Sequence, residues 1–263
     1  MKKSIYHFIA RHRRNFLLKF FNKLTSSFRN AYNNKDYNHE SNGELWLQIK
    51  MSSLGLKTVF DVGANIGSWA ENARKYFPGA TIYCFEPIGP VYEKLKARIS
   101  HQPQIILVNS ALAEATGEAM FNYYPQVDVL SSRFHVAEGG AAVSVPVKMQ
   151  TGENFCAEHE IRFIDFLKID TEGSDYAVIQ GFDQMISAQK IRAIQFEYGG
   201  ISVITKFLLK DFYDYFSGKN YMVGKIYPNY VDFSDYTYLK EDFIGLNFLA
   251  VHRDDQELIR MLR

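Results

Sequence analysis

Short apolar runs that end in polar or glycine-rich turns, each followed by a stretch of helical period, set the outline of this chain. In Thr58–Val62 the residues Val59, Phe60 and Val62 are apolar on both faces, the mark of a buried strand in a parallel sheet. Thr81–Phe85, Ile105–Asn109, Phe163–Ile169 and Ile191–Phe196 repeat the pattern. Between them, the stretch from Ser68 places Trp69, Ala73 and Phe77 on one helical face, and Pro90–Ile99 and Asp175–Gln180 also read as helices. Glu44–Leu54 is a helix leading into the first strand. Ala119–Tyr124 and Val143–Met149 read as added strands, Thr205–Phe216 as a helix, and Tyr221–Tyr227 and Gly245–His252 as closing strands. Strands alternating with helices predict an α/β domain around a parallel sheet.

The turn after the first strand carries the candidate chemistry. Asp61, Gly63, Asn65 and Gly67 follow a D-x-G-x-x-x-G spacing. It lacks the third glycine of the dinucleotide fingerprint, and no phosphate-loop Lys-Ser/Thr pair follows, which argues against a nicotinamide oxidoreductase. Glycines here let the backbone approach a ligand where a Cβ would clash. The second strand ends in Glu86-Pro87, 25 positions after Asp61, which places a carboxylate to accept both ribose hydroxyls of an adenosine.

D-V-G-A-N-x-G at Asp61, F-E-P at Glu86, N-x-A-L from Asn109 to Leu112 and K-I-D-x-E-G from Lys168 to Gly173 occur in this order. Together they resemble the FkbM-type methyltransferases that use S-adenosyl-L-methionine, over roughly Glu44 to Arg253. The resemblance implies a Rossmann-like class I methyltransferase fold: a seven-stranded, mostly parallel sheet with helices on both faces and an antiparallel last strand. It implies a cofactor site of Asp61, Gly63, Asn65, Gly67, Glu86, Asn109, Ser110, Ala111 and Asp170, with Asn109 and Ser110 at the adenine edge. It also implies an O-methyltransferase acting on a hydroxyl of a sugar, glycan or natural product, in surface-glycan assembly. N-methylation, a protein or lipid acceptor, and a non-catalytic scaffold of the same fold are the competing readings.

An acceptor hydroxyl needs a base or a metal to activate it. Asp170 and Glu197 end the fourth and fifth strands, whose carboxyl ends open onto the crevice of such a sheet. Glu172 and Asp175 follow on the turn, where an acid also stabilises a helix N-terminus. The family pattern often has Glu where this chain has Asp175. Asp170, Glu172 and Glu197 together offer hard oxygen ligands for Mg²⁺, although base catalysis without a metal is the favoured expectation. His135 is the histidine candidate for a base, since it lies in the irregular stretch Gln126–Ala142 with Ser131, Ser132, Arg133 and Gly139-Gly140. A loop of that length points to an acceptor site or lid. Tyr227–Leu239, aromatic and polar, is a further candidate border of the acceptor pocket.

Composition adds two constraints. With 263 residues, 47% apolar and 22% charged, the chain suffices for one sizeable core, and Cys84 and Cys156 form neither a disulfide framework nor a metal spacing. Net charge is +1 but uneven. Residues 1–30 hold eight Lys/Arg and no acid, leaving 22 basic against 29 acidic groups elsewhere, which argues against a nucleic-acid partner. In the same stretch Ile5, Phe8, Ile9, Phe16, Phe20, Leu24 and Phe28 recur at helical spacing. A basic amphipathic helix over 1–30, joined by a polar linker Ala31–Gly43 to a methyltransferase domain 44–263, is the expected organisation. The helix packs on the domain or on a second subunit, lies on an anionic membrane surface, or serves as a mitochondrial-type targeting segment. No apolar run is long enough to span a bilayer and no secretory signal is visible. The expected location is cytoplasmic, at the inner face of the membrane if the helix binds lipid.

Overall fold

The computed structural model describes residues 2–135 and 140–263, so residues 136–139 of the expected loop lie outside it. The N-terminal stretch forms two helices, α1 (Lys2–Arg11) and α2 (Phe16–Tyr32), rather than one. The break falls where Asn15 leaves helical geometry and its side chain accepts the Leu17 N–H at 2.9 Å, capping α2. Then come α3 (Glu44–Met51), β1 (Thr58–Val62), α4 (Ser68–Tyr76), β2 (Thr81–Phe85), α5 (Gly89–Ile99) and β3 (Ile105–Val108). A small sheet follows from β4 (Ala111–Leu112), β5 (Gly117–Tyr123) and β6 (Val143–Gln150). The chain returns through α6 (Gly152–Glu158), β7 (Ile164–Ile169), α7 (Asp175–Gln180), α8 (Asp183–Ser187) and β8 (Ile191–Glu197). It closes with α9 (Ser202–Thr205), α10 (Leu209–Ser217), β9 (Tyr221–Tyr227), β10 (Tyr230–Asp232), β11 (Asn247–His252) and α11 (Gln256–Leu262).

The main sheet runs β10-β9-β11-β8-β7-β1-β2-β3. Strands β3, β2, β1, β7 and β8 are parallel, and β11 is antiparallel to both β8 and β9. This is the Rossmann-like class I arrangement. It has eight strands where seven were expected, because the turn at Pro228-Asn229 folds Tyr230–Asp232 back onto Lys225–Tyr227. The closing pair is present, but β11 occupies an interior slot and the edge falls to β9 and β10. The expected helix Thr205–Phe216 starts only at Leu209, because Lys206 takes a left-handed φ of 65°.

Period-two alternation gives the sheet two apolar faces. Val59, Ile82, Phe166, Ala193 and Leu249 pack with α3, α4, α5 and α11. Phe60, Phe85, Leu167, Ile194 and Phe248 pack with α6, α7, α8 and α10. Helices therefore cover both faces, as expected for parallel strands.

The segment expected as a linker is pinned to this domain. Asn34 donates to the carbonyls of Asn42 (2.7 Å) and Ile226 (3.0 Å). Glu44, buried, accepts from Asn42 (2.8 Å) and Asn247 (3.2 Å) on Oε1 and from Gln195 (2.8 Å) on Oε2. Three amides thus depend on one carboxylate to tie the segment to β8 and β11. Glu44→Ala would leave Asn42 and Asn247 without this acceptor in a dry interior, while Gln195 keeps its bond to Asn247 Oδ1 (3.0 Å), and should lower stability by about 2–4 kcal/mol, read as a lower urea midpoint at unchanged slope. A midpoint within error of the parent would show that the network is dispensable.

Candidate active site

The cradle forms where β1 meets α4. The Gly63 and Ala64 N–H groups both donate to the Phe85 carbonyl, at 3.0 and 2.9 Å, folding the turn back over the end of β2. Gly63 sits at φ +82°, and a Cβ there would lie 1.8 Å from the Asp170 carbonyl oxygen. Gly67 sits at φ +85°, where a Cβ would strike the methyls of Leu95 and Ile99. Both positions therefore exclude a side chain, the first through backbone of β7's exit and the second through helix packing.

Glu86 stands at the mouth of the crevice. Its Oε2 accepts the Asn65 N–H (3.0 Å) and its Oε1 the Ile88 N–H (2.9 Å). The residue is 5% exposed, and burial pushes the carboxyl up to about 7 against those two bonds. Beside it lies a partly open cavity of about 120 Å³. Leu112, Phe121 and Met149 of the small sheet supply its apolar wall, with Ser110, Ala111 and Val129. Of the loop Gln126–Ala142, the residues Asp128, Val129, Ser131 and Arg133 line this cavity.

On the opposite side of the turn is a buried ion cluster. Lys168 is 3% exposed, and its Nζ lies 3.0 Å from Asp61 Oδ1 and 3.2 Å from Asp170 Oδ2. Asp61 and Lys168 are register partners across β1 and β7, so the contact is built into the sheet. Burial works against the ammonium, and the carboxylates of Asp170, Asp61 and Glu44 outweigh it, raising the Lys168 pKa well above its ordinary value. Burial raises the Asp61 carboxyl, opposed by Lys168. The ammonium also lies 5.8 Å from the ring centre of Trp69.

Asp170, Glu172 and Glu197 converge at the ends of β7 and β8, each placing a carboxylate oxygen within 4.8 Å of the others. Burial first, then the charges of Asp170 and Asp175, pushes Glu172 up to about 8. Burial and the Asp170, Glu172, Asp175 and Glu44 charges hold Glu197 well above the usual carboxylate range. A cluster of this kind holds protons or a hard cation. A second cavity, about 830 Å³ and open to solvent, lies over these carboxylates. The two cavities share Gly63, Asn65, Val129, Asp170 and Glu172, so they meet at the carboxyl ends of β1 and β7.

The expected site residues separate into those facing these cavities and those behind them. Gly63, Asn65, Glu86, Ser110, Ala111 and Asp170 line the first cavity, and Asp170, Glu172 and Glu197 the second. Asp61 is fully buried against Lys168 instead. Asn109 does not line the cavity: its Nδ2 donates to the Glu86 carbonyl at 2.9 Å and holds that strand end in place. Gly67 begins α4, packed on α5. His135 lines neither cavity; its Nδ1 lies 3.1 Å from the Tyr124 hydroxyl, outside the carboxylate cluster. Asp175 is not an end cap for its helix. It accepts the Glu197 N–H (2.9 Å) and the Thr171 hydroxyl (2.8 Å), joining the exits of β7 and β8, and burial pushes it up to about 6. Among the described residues of Tyr227–Leu239, none lines either large cavity.

Tyr37 and His39, from the expected linker, line the second cavity and were not foreseen. Tyr37 is largely exposed at the cavity rim, and His39 Nε2 lies 3.2 Å from Asn72 Nδ2. Lys168 was legible only as a motif letter. Its opposition to Asp61 needs the register of two strands more than a hundred residues apart.

The sequence profile described as "Methyltransferase FkbM domain" matches residues 61–222. The chain is 27% identical over 174 residues to the AMB antimetabolite synthetase AmbE of Pseudomonas aeruginosa, covering 53% of this chain and 8% of that protein. It is 29% identical over 154 residues to the 31-O-demethyl-FK506 methyltransferase FkbM of Streptomyces tacrolimicus, covering 48% of this chain and 59% of that one. The matches thus span less than two thirds of either relative. A crystal structure of a methyltransferase FkbM from Methylobacillus flagellatus KT superposes with a TM-score of 0.46 at 15% identity, over 75% of this chain and 44% of the other.

Removing the buried ammonium should expose the cluster's dependence on it. Lys168→Met leaves Asp61 as an uncompensated buried acid and should destabilise by about 3–5 kcal/mol. Adding Asp61→Asn should restore part of that loss, a coupling that a double-mutant cycle in urea reads directly. Strict additivity would mean that the two groups do not support each other.

Proposed function

Since the chain belongs to the FkbM methyltransferase family, we propose that it moves a methyl group from S-adenosyl-L-methionine to a hydroxyl of a sugar, glycan or natural-product acceptor. The observation that carries this reading is the meeting of the two cavities. One is walled by apolar side chains beside a buried carboxylate, and the other is floored by carboxylates with raised pKa values.

The residues of the first cavity fit the cofactor. Glu86 has lone pairs left after its two backbone bonds for a ribose, and Leu112, Phe121 and Met149 offer an apolar slot for a purine. Asn65 and Gly63 bring backbone to the point where the cavities join. When bound, the sulfonium supplies a methyl group already activated for in-line displacement. What remains for the protein is alignment and proton removal.

Glu172, which faces the acceptor cavity beside Glu197, is our candidate for taking the proton of an acceptor hydroxyl. A carboxyl raised to about 8 matches a base to near-neutral working pH far better than an ordinary carboxylate. Lys168 meanwhile holds Asp170 by its ion pair, so the cluster carries its own counter-charge without a metal. Tyr37 and His39 form the outer wall for the acceptor. The relative named for an O-demethylated FK506 supports an oxygen nucleophile.

Labelled-methyl transfer to a panel of oligosaccharides, sugar nucleotides and hydroxylated natural products tests the reading; incorporation into amines alone would overturn it. Glu172 gains its basic form as pH rises, so turnover should climb through about pH 8, and Glu172→Gln should flatten that limb. Activity should survive EDTA, and its loss with recovery on adding Mg²⁺ would assign the cluster to a cation instead. Glu86→Ala should weaken S-adenosylhomocysteine about tenfold or more in calorimetry, the worth of charge-assisted bonds to a ribose. Unchanged affinity would remove Glu86 from the site.

A further inference from the structure

Helix α2 buries none of its residues, yet it carries a continuous apolar face. Phe16, Leu17, Phe20, Phe21, Leu24 and Phe28 fall within one arc at 100° per residue, and each is more than half exposed, Phe16 to 79%. Isolated exposed apolar residues need no explanation, but a contiguous face of this width does. On α1, Ile5, Phe8 and Ile9 are exposed as well.

The charges select the occupant. On α2, Lys19 and Lys23 border one edge of the arc and Arg29 the other, while Arg11, Arg13 and Arg14 cluster at the break between the helices. Residues 1–30 contain no acid. Two copies of residues 1–30 set against each other would bring sixteen cations together with no acid among them. A sheet of anionic headgroups meets the same charges favourably, because flanking lysines and arginines reach headgroups while the aromatic arc enters the acyl boundary. No helix among the described residues is long and apolar enough to cross a membrane, so the face lies along the surface.

We propose that α1 and α2 are a docking surface for an anionic lipid bilayer. The surface is joined to the acceptor side of the molecule. Directly after α2, Asn34 is bonded to β9, and Tyr37 and His39 line the second cavity. Docking therefore holds the acceptor cavity close to the lipid plane.

The test is co-sedimentation of the full-length protein with vesicles of phosphatidylglycerol and phosphatidylcholine, against phosphatidylcholine alone. The protein should pellet with the anionic vesicles at low ionic strength. It should be released at about 1 M salt, where the Debye length falls to about 3 Å. Phe16→Ser with Phe20→Ser and Leu24→Ser, and separately Lys19→Glu with Lys23→Glu, should each cut the bound fraction about tenfold or more. Because these side chains are unburied, both variants should keep the parent's circular dichroism and thermal midpoint. Protein that stays in the supernatant overturns the proposal, as does equal binding to neutral vesicles. A dimer in sedimentation velocity that the serine variants dissolve, without vesicle binding, would hand the face to a second copy.

Discussion

The structure depends on one buried ammonium. Lys168 reaches from β7 to Asp61 on β1 and to Asp170 at its own strand's end, in a place with almost no access to water. An isolated ammonium could not remain charged there, and neither could Asp61 alone. Lys168 and Asp61 thus support each other's charge, and they do so at the centre of the sheet, where β1 and β7 are neighbours. Such an arrangement adds little net stability over an apolar core of the same volume. What it does supply is position: Asp170 is held at the seam between the cavities, and the acids beyond it feel its charge.

That charge propagates. Glu172, Glu197 and Asp175 are each raised by burial and by Asp170, yet their fates differ because their partners differ. Asp175 is committed to a backbone N–H and a threonine hydroxyl, which makes it a brace between strand ends. Glu172 and Glu197 face the open cavity. Three acids at neighbouring strand ends are thereby divided into one that braces the backbone and two that line the open cavity.

Much of the fold and part of the candidate site's geometry can be read from residues in order, because those signals are local. Apolar runs marked the core strands, the D-x-G-x-x-x-G turn marked the cradle, and acids at strand ends marked the crevice, and Glu86, Asp170, Glu172 and Glu197 all lie where that logic put them. The misplacements have a common physical origin. The family resemblance implies Asp61 at the cofactor, whereas alternation along β1 puts it on the face of Val59, under α4, where it meets Lys168. Asn109 was assigned to the adenine edge, but its amide is taken by the Glu86 carbonyl. Tyr37 and His39 were hidden in a polar stretch whose packing rests on Asn34 meeting Ile226, a contact no local pattern announces.

The position of β11 has a consequence for how the molecule comes to be. This strand lies between β8 and β9 and is antiparallel to both, yet it follows both in the chain. Until residues 247–252 have been synthesised, β8 has one bare edge, and β9 and β10 form a ribbon with nothing to join. During translation the half of the sheet bearing Asp61, Glu86 and Asp170 can assemble first, while the Glu197 edge waits with unpaired N–H and C=O groups that invite foreign strands. A chain ending shortly before residue 247 would therefore have only the β1, β2 and β7 side of its crevice built and its sheet open, a species for chaperones.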